Sequence, residues 1–393
     1  MFRKQRRRDM ADRSSKTTKS IEKKKNKKGK TIKIVGIVCG VILALALVCY
    51  FTGLIILDHY ISKVNIVTKE TGVEYLTPVI TYEDEPVDTE EEEVTTEERP
   101  VTGLPDYEAI LNRGNLPLIS DTKDVTNILL LGVDARRNEA SRSDTMILLS
   151  INEKTGKIIL TSLMRDILAV YPETPANPIY GGQWYDKLCH AHAYGGPELT
   201  MAVLKETFNI EVQYYAKVNF YSFVDIIDSV GGVDLELTSD EAWWINQYVL
   251  SAETKGLFPD YPKETISVTQ EGVYHLNGLQ ALGHGRNRSI GNDYARTQRQ
   301  RTIIGQLVKK ARGLSLSELD RCLDTLLPLI TTNMPKAEIK SLVGKAFSLV
   351  KYDVESVQIP QPGTYQSIRY NLAMDLYENV RYLYQKIYEK EPT

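Results

Sequence analysis

Cysteine is scarce in this chain, with four among 393 residues. Cys39 and Cys49 fall inside an apolar run, so only Cys189 and Cys322 remain outside it. One conceivable pair cannot make a disulfide scaffold, and the two read as separate thiols. The chain also lacks a Walker-type glycine-rich loop, a zinc-ligand spacing and a Ser/His/Asp set, which excludes P-loop nucleotide chemistry, a zinc module and triad hydrolysis. No internal repeat is present, so a solenoid is excluded as well.

Charge is nearly balanced overall, at a formal net of −3, but its distribution is uneven. The first 33 residues hold 15 Lys or Arg against three acidic residues, a local excess of +12. Such a tail could bind nucleic acid, yet it runs straight into an apolar stretch from about Ile34 to Leu57. At about 1.5 Å per residue, that stretch can cross a hydrocarbon core of roughly 30 Å. A cleaved signal peptide would have a shorter apolar region, about 7–15 residues, and no small-x-small cleavage site stands out. Basic flanks stay cytoplasmic, so the remainder is expected outside.

Between Glu83 and Glu98 ten of sixteen residues are acidic and none is aromatic, the composition of an extended, self-repelling spacer. The expected organisation is therefore a basic cytoplasmic tail (1–33), a transmembrane anchor (34–57), an extracellular acidic linker (58–104) and a globular domain (105–393). Within that domain Asn127 to Val133, Thr145 to Ile151, Lys157 to Ser162 and Val354 to Ile359 read as strands. Helical spacing is found at Pro197 to Phe208, Tyr221 to Val230 and Asp293 to Arg312. Two more helical stretches follow Leu314, with a Tyr-rich terminal helix from about Tyr370. Alternating strands and helices argue for an α/β fold layered on a central sheet.

Two segments concentrate the chemistry. LLLGVDARRNEASRSDTMILL places Asp134 and Asp144 at the end of one strand and the beginning of the next, with Arg136, Arg137 and Arg142 between them. Two such carboxylates can converge on Mg²⁺, which accepts one or two carboxylates plus water and phosphate oxygens. They can equally be loop charges or caps. LGHGRNRSIGNDYARTQRQ packs Arg286, Arg288, Asp293, Arg296 and Arg299 together. If Arg286 and Arg288 lie on a strand, both guanidiniums point to one side; on the following helix Asp293, Arg296 and Gln300 share a face. Arginine forks bind phosphate oxygens in pairs, which suits a diphosphate. A nucleic-acid stripe is the competing explanation, and a globular part that is not strongly basic weighs against it. Between the clusters lie SLMRD, with Arg165 and Asp166, and KLCHAHAYGG, beginning at Lys187. Strand-end acids and arginines from four segments suggest a site at the rim of the sheet.

LLLGVDAR, SRSDTMIL, SLMRD, KLCHAHAYGG, QALGHGRNR and NDYARTQRQ resemble, in that order, the motifs of the LytR-CpsA-Psr family, over about 126–307. The resemblance implies an αβα sandwich around a central mixed β-sheet, behind a single transmembrane helix, with an apolar pocket for a polyprenyl chain. It implies a Mg²⁺-dependent phosphotransferase, Mn²⁺ being an alternative ion. A peptidoglycan sugar hydroxyl would attack the polymer-proximal phosphorus of a polyprenyl diphosphate-linked glycan, such as teichoic acid or capsule. Peptidoglycan and the lipid-linked glycan are the expected partners, along with membrane lipid around the N-terminal helix, and nucleic acid is not expected.

By the same resemblance Asp134 and Asp144 match the metal-binding aspartates, and Arg142, Arg165, Arg286 and Arg288 the arginines around the diphosphate. Asp293, Arg296 and Gln300 match the helix that closes the site, and Arg136, Lys187 and Arg299 join the expected substrate contacts. His192 and His284 stand where members commonly carry tyrosine, and the two are expected to lie close together beside the diphosphate. Two alternatives use the same residues: an envelope sensor that binds lipid-linked precursors without turnover, and a hydrolase of the same diphosphate.

Overall fold

The computed structural model describes residues 57–67, 111, 116, 122–133, 141–172, 184–267, 270–313, 315, 318, 321, 324–325, 327–349, 351–368 and 371–390. The chain divides between Tyr60 and Ile61 into two units, and the four described residues of the first, 57–60, are helical. The basic tail, the apolar run as far as Ile56 and the acidic Glu83–Glu98 stretch lie outside the described residues. Among the described residues no helix is long and apolar enough to cross a membrane.

Asn65–Ile66 (β1), Val125–Val133 (β2), Ser143–Asn152 (β3), Lys157–Leu163 (β4), Tyr214–Asn219 (β7), Thr331–Thr332 (β10) and Asp353–Ile359 (β11) form one sheet. Its order is β1-β10-β7-β2-β3-β4-β11. Three two-stranded ladders accompany it: Leu168–Tyr171 (β5) with Trp184–Lys187 (β6), Val233–Leu237 (β8) with Gly272–Leu276 (β9), and Tyr365–Ile368 (β12) with Asn371–Met374 (β13). The main sheet is mixed. β2 runs antiparallel to β3 and β3 to β4, whereas β7 lies parallel to β2 and β11 parallel to β4. The small strand β1 falls within the segment read as linker, so the folded unit begins well before residue 105.

Side chains alternate across a strand, and β2 shows what this does. Leu129, Leu131 and Val133 face one core, shared with His190–Phe208 (α1) and the terminal helix Leu376–Tyr388. Ile128 and Leu130 face the opposite core. There they meet residues near the helices Lys336–Gly344 and Ala346–Leu349. Helices therefore cover both faces of the sheet. A third apolar cluster joins Phe220–Ser229 (α2), Ser239–Leu250 (α3), Ala252–Leu257 (α4), the β8/β9 ladder, Gly278–Arg286 (α5) and Asp293–Gly313 (α6). The last three helices in chain order are α7 (Lys336–Gly344), α8 (Ala346–Leu349) and α9 (Leu376–Tyr388).

Several boundaries have local causes. α2 opens where Asn219 Oδ1 accepts the Ser222 N–H at 2.8 Å, an N-cap that satisfies an otherwise orphaned donor. α1 starts seven residues before the predicted Pro197, and Gly195 and Gly196 break its helical course. Pro197 restarts it, its missing N–H costing nothing in a first turn. The terminal helix begins at Leu376 and not near Tyr370, because Asn371–Met374 pair with Tyr365–Ile368 and Asp375 caps Glu378. At Gly278 a Cβ would sit 2.3 Å from the Val224 carbonyl oxygen, so only glycine allows α5 to approach the α2 backbone this closely.

Candidate functional site

Three neighbouring strands meet at one end of the sheet: β2 and β4 finish there and β3 begins. In the β2/β3 ladder Gly132 pairs with Thr145, but Val133 pairs with Ser143. Asp144 is thus the additional residue of a β-bulge, a device that re-aims a side chain at the margin of a sheet. Beyond the last residue of β4, Arg165 is fixed through its own carbonyl, which accepts the Cys189 N–H at 3.1 Å.

These two residues touch. Arg165 Nη1 donates to Asp144 Oδ1 at 3.0 Å, and Arg288 Nη2 lies 3.6 Å from Asp144 Oδ2. Arg165 Nε reaches Asp166 Oδ2 at 3.3 Å, and Lys187 Nζ reaches Asp166 Oδ1 at 3.0 Å. Arg296 approaches from α6, bound to Asp293 at 2.7 Å and only 2% exposed. Its Nε and the Oδ2 of Asp293 are buried without a hydrogen-bond partner among the described residues. A buried cation with an uncommitted N–H can donate to a bound anion.

Electrostatics agree with the geometry. Burial works to raise the Asp144 carboxyl, but Arg165, Arg288 and Arg296 outweigh it and hold the group below its ordinary value. Burial would lower Arg165, yet Asp166 and Asp144 raise it. Arg288 is lowered, first by burial and then by repulsion from Arg165 and Arg296. Arg165, Lys187, Arg288 and Arg296 thus stand against Asp144, Asp166 and Asp293, one positive charge in excess, an arrangement suited to an anion.

Arg286 does not share a face with Arg288. It ends helix α5 instead of lying on a strand, because the Asn277/Gln280 capping box starts a helix that runs through it. Its guanidinium lies 3.2 Å from Glu253 Oε1 and 3.1 Å from the Tyr248 hydroxyl, and 4.6 Å above the Phe220 ring. Arg299 turns away from the cluster: Nε donates to Glu241 at 2.7 Å, and its two terminal nitrogens donate to the carbonyls of Asn287 and Ile290. Gln300 Nε2 donates to the Gly285 carbonyl at 3.1 Å.

The histidines are buried and have different partners. His192 Nδ1 donates to the Ser141 carbonyl at 2.6 Å, and Nε2 has no hydrogen-bond partner among the described residues. Burial, with help from Lys217, lowers its pKa despite the Ser141 contact. His284 lies in the field of Glu241 and Arg299, and burial pushes it down to about 4. No hydrogen bond or ring contact joins the two among the described residues. In both surroundings desolvation favours the neutral ring.

Asp134 and Arg136 lie outside the described residues, and Arg142 adjoins that segment, its charge acting on the Tyr194 hydroxyl. Among the described residues no group of three His, Cys, Asp or Glu side chains is disposed to hold a metal. Asp144 is nonetheless of the right kind for a hard cation, being anionic and having lone pairs left on both oxygens. Of the acidic partners, Asp166 belongs to the SLMRD motif, whereas Glu241 and Glu253 were not expected at the site. Only Glu241 carries a local signal, the Thr238–Glu241 capping box, and that motif says nothing of Arg299.

The LytR_cpsA_psr family model matches residues 83–386. The teichoic acid transferase TagT of Bacillus subtilis, named as a polyisoprenyl-teichoic acid–peptidoglycan transferase, is 32% identical over 244 residues, covering 60% of this chain and 68% of TagT. A TagU of Bacillus cereus strain ATCC 14579, bearing the same transferase name, is 32% identical over 250 residues, covering 62% and 71%. Among solved structures, "TagT bound to LIIa-WTA" superimposes with a TM-score of 0.51 at 28% identity, covering 71% of this chain and 97% of that one.

Proposed function

Because the chain belongs to the LytR-CpsA-Psr family, we propose that it is a membrane-anchored phosphotransferase joining a polyprenyl diphosphate-linked anionic glycopolymer to peptidoglycan. One observation supports this reading above all: Arg165 and Arg288 meet at Asp144 within the field of Arg296, whose buried Nε has no hydrogen-bond partner among the described residues. The transferase names of TagT and TagU point the same way.

In this reading the sugar hydroxyl oxygen attacks the polymer-proximal phosphorus and loses its proton. The bond to the bridging oxygen breaks, and polyprenyl phosphate leaves with the electron pair. The product is a phosphodiester. Phosphoryl transfer demands mainly positioning and neutralisation of charge on the non-bridging and leaving oxygens. Arg288 and Arg296 would hold the diphosphate, Arg165 would orient Asp144, and Lys187 would fix Arg165 through Asp166. Asp144 with Asp134 would hold Mg²⁺, or Mn²⁺, which when bound would add to the neutralisation of phosphate charge.

The apolar run from Ile34 to Leu57 and the basic tail before it support a single-pass anchor with the folded unit outside. External protease on intact protoplasts should then remove the folded unit and spare the tail; a protected unit contradicts the location. The activity is tested with purified full-length protein, lipid-linked glycan and peptidoglycan. Transfer supports the proposal, whereas glycan release without transfer, or binding alone, replaces it with hydrolysis or sensing.

A further inference from the structure

We propose that Arg299 and Glu241 form a latch that sets the course of the Arg288 loop, making Arg299 a positioning residue and not a phosphate ligand. The proposal rests on the reading above in one respect, that Arg288 receives the diphosphate.

Arg288 sits between two carbonyls that one side chain captures. Arg299 Nη1 donates to the Asn287 carbonyl at 3.1 Å and Nη2 to the Ile290 carbonyl at 2.6 Å. Nε donates to Glu241 Oε1 at 2.7 Å. Every guanidinium nitrogen is thereby engaged, and the residue is 8% exposed. With three of its five N–H groups committed and the side chain buried, the fork has little left to offer a phosphate. Only an arginine spans two carbonyls and a carboxylate at once; the lysine ammonium is a point charge.

The loop is tied from its own side too. Asn287, fully buried, accepts the N–H groups of Ser289 and Ile290 on its Oδ1. Gln300, next to Arg299, holds the Gly285 carbonyl. Adjacent side chains of α6 thus grip the backbone on both sides of Arg286–Arg288. Glu241 extends the tie to α3, where its other oxygen closes the capping box with Thr238. Burial would raise Glu241, but Arg299 and the Thr238 N–H hold it below its ordinary value, so it remains an anion for Arg299.

A double-mutant cycle separates a latch from a ligand. Full-length protein is titrated with inorganic diphosphate as wild type, Arg288→Gln, Arg299→Lys and the double variant. Each single change should weaken binding about tenfold or more, the scale of a charge-assisted hydrogen bond. The double variant should bind no more weakly than Arg288→Gln, because Arg299 acts through Arg288. Multiplying losses would make Arg299 a direct ligand and overturn the proposal.

Amide exchange across 287–290 gives a readout that needs no ligand. It should accelerate in Arg299→Lys and in the milder Glu241→Gln, which preserves a hydrogen-bond acceptor if Arg299→Lys does not fold. Wild-type protection of that loop in Glu241→Gln, or in a folded Arg299→Lys, would refute the latch. Absence of diphosphate binding in the wild type would overturn the functional reading while the exchange result still decides the latch.

Discussion

Arg288 Nη2 stands 3.6 Å from Asp144 Oδ2, joining the loop after α5 to the bulge of β3. This cross-connection makes the two residues reporters of one site. Arg288→Gln should lower transfer strongly while changing the thermal midpoint little, since the side chain is 48% exposed. A midpoint that collapses along with activity would mark Arg288 as structural.

Asp144 carries a pH signature. Its carboxyl titrates below 3.8 in the folded chain, so the unfolded state binds its proton more readily. The stability it contributes is complete above about pH 4 and is lost as pH falls through the folded value. Asp144→Asn should flatten that acid limb in thermal midpoints measured between about pH 2 and 5. An acid limb identical to wild type counts against the ion pair with Arg165.

Arg286 should behave differently from Arg288. Its fork is shared between Glu253 and Tyr248 and it stacks over Phe220. Arg286→Lys loses the planar contact and should cost about 1 kcal/mol of stability as well as activity. Equal wild-type values for both would show that this stack does not form in solution.

For His284 the folded pKa, about 4, lies below the ordinary 6.5. A depressed histidine favours protonation of the unfolded state, so its contribution is full above pH 6.5 and declines toward pH 4. Between pH 6.5 and 8 it stays neutral. The His192→Tyr, His284→Tyr double variant should therefore keep the wild-type pH–rate shape there. A shift of that profile would place a titrating imidazole at the phosphate after all.

Four of the seven strands of the sheet, β2, β3, β4 and β11, were legible because they are apolar runs with turn signals between them, whereas β7 and β10 were not read. Lys157 to Ser162 differs from β4 only by Leu163, and Asp293 to Arg312 from α6 only by Gly313. β1 was not legible, since two residues carry no period and gain their strand state from Thr331–Thr332. Within the site, spacing placed Asp293 and Arg296 of α6 on one face, where they pair, but did not reveal that Arg299 and Gln300 meet Glu241 and backbone carbonyls. A spacing of two suggested a common face for Arg286 and Arg288, whereas a capping box decides that Arg286 ends a helix. Arg299 resembled a phosphate ligand because an arginine in a cluster reads alike whether it meets an anion or its own backbone. Tertiary partners such as Glu241, far away in sequence, settle that difference.

The proposed metal role of Asp144 is checked by removal. Chelation should abolish transfer, and Mg²⁺ or Mn²⁺ should restore it in the wild type but not in Asp144→Ala. Full transfer in the chelated enzyme would leave the arginines to carry the charge alone.

The most direct measurement follows the polymer-proximal phosphorus itself. With that atom isotopically labelled in a polyprenyl diphosphate-linked glycan, the full-length chain should move the label into peptidoglycan as a phosphodiester. One polyprenyl phosphate should be released per link formed, and Arg288→Gln should slow both together. Label recovered in a soluble glycan phosphate, or retained on the lipid while the protein binds it, would contradict the transfer.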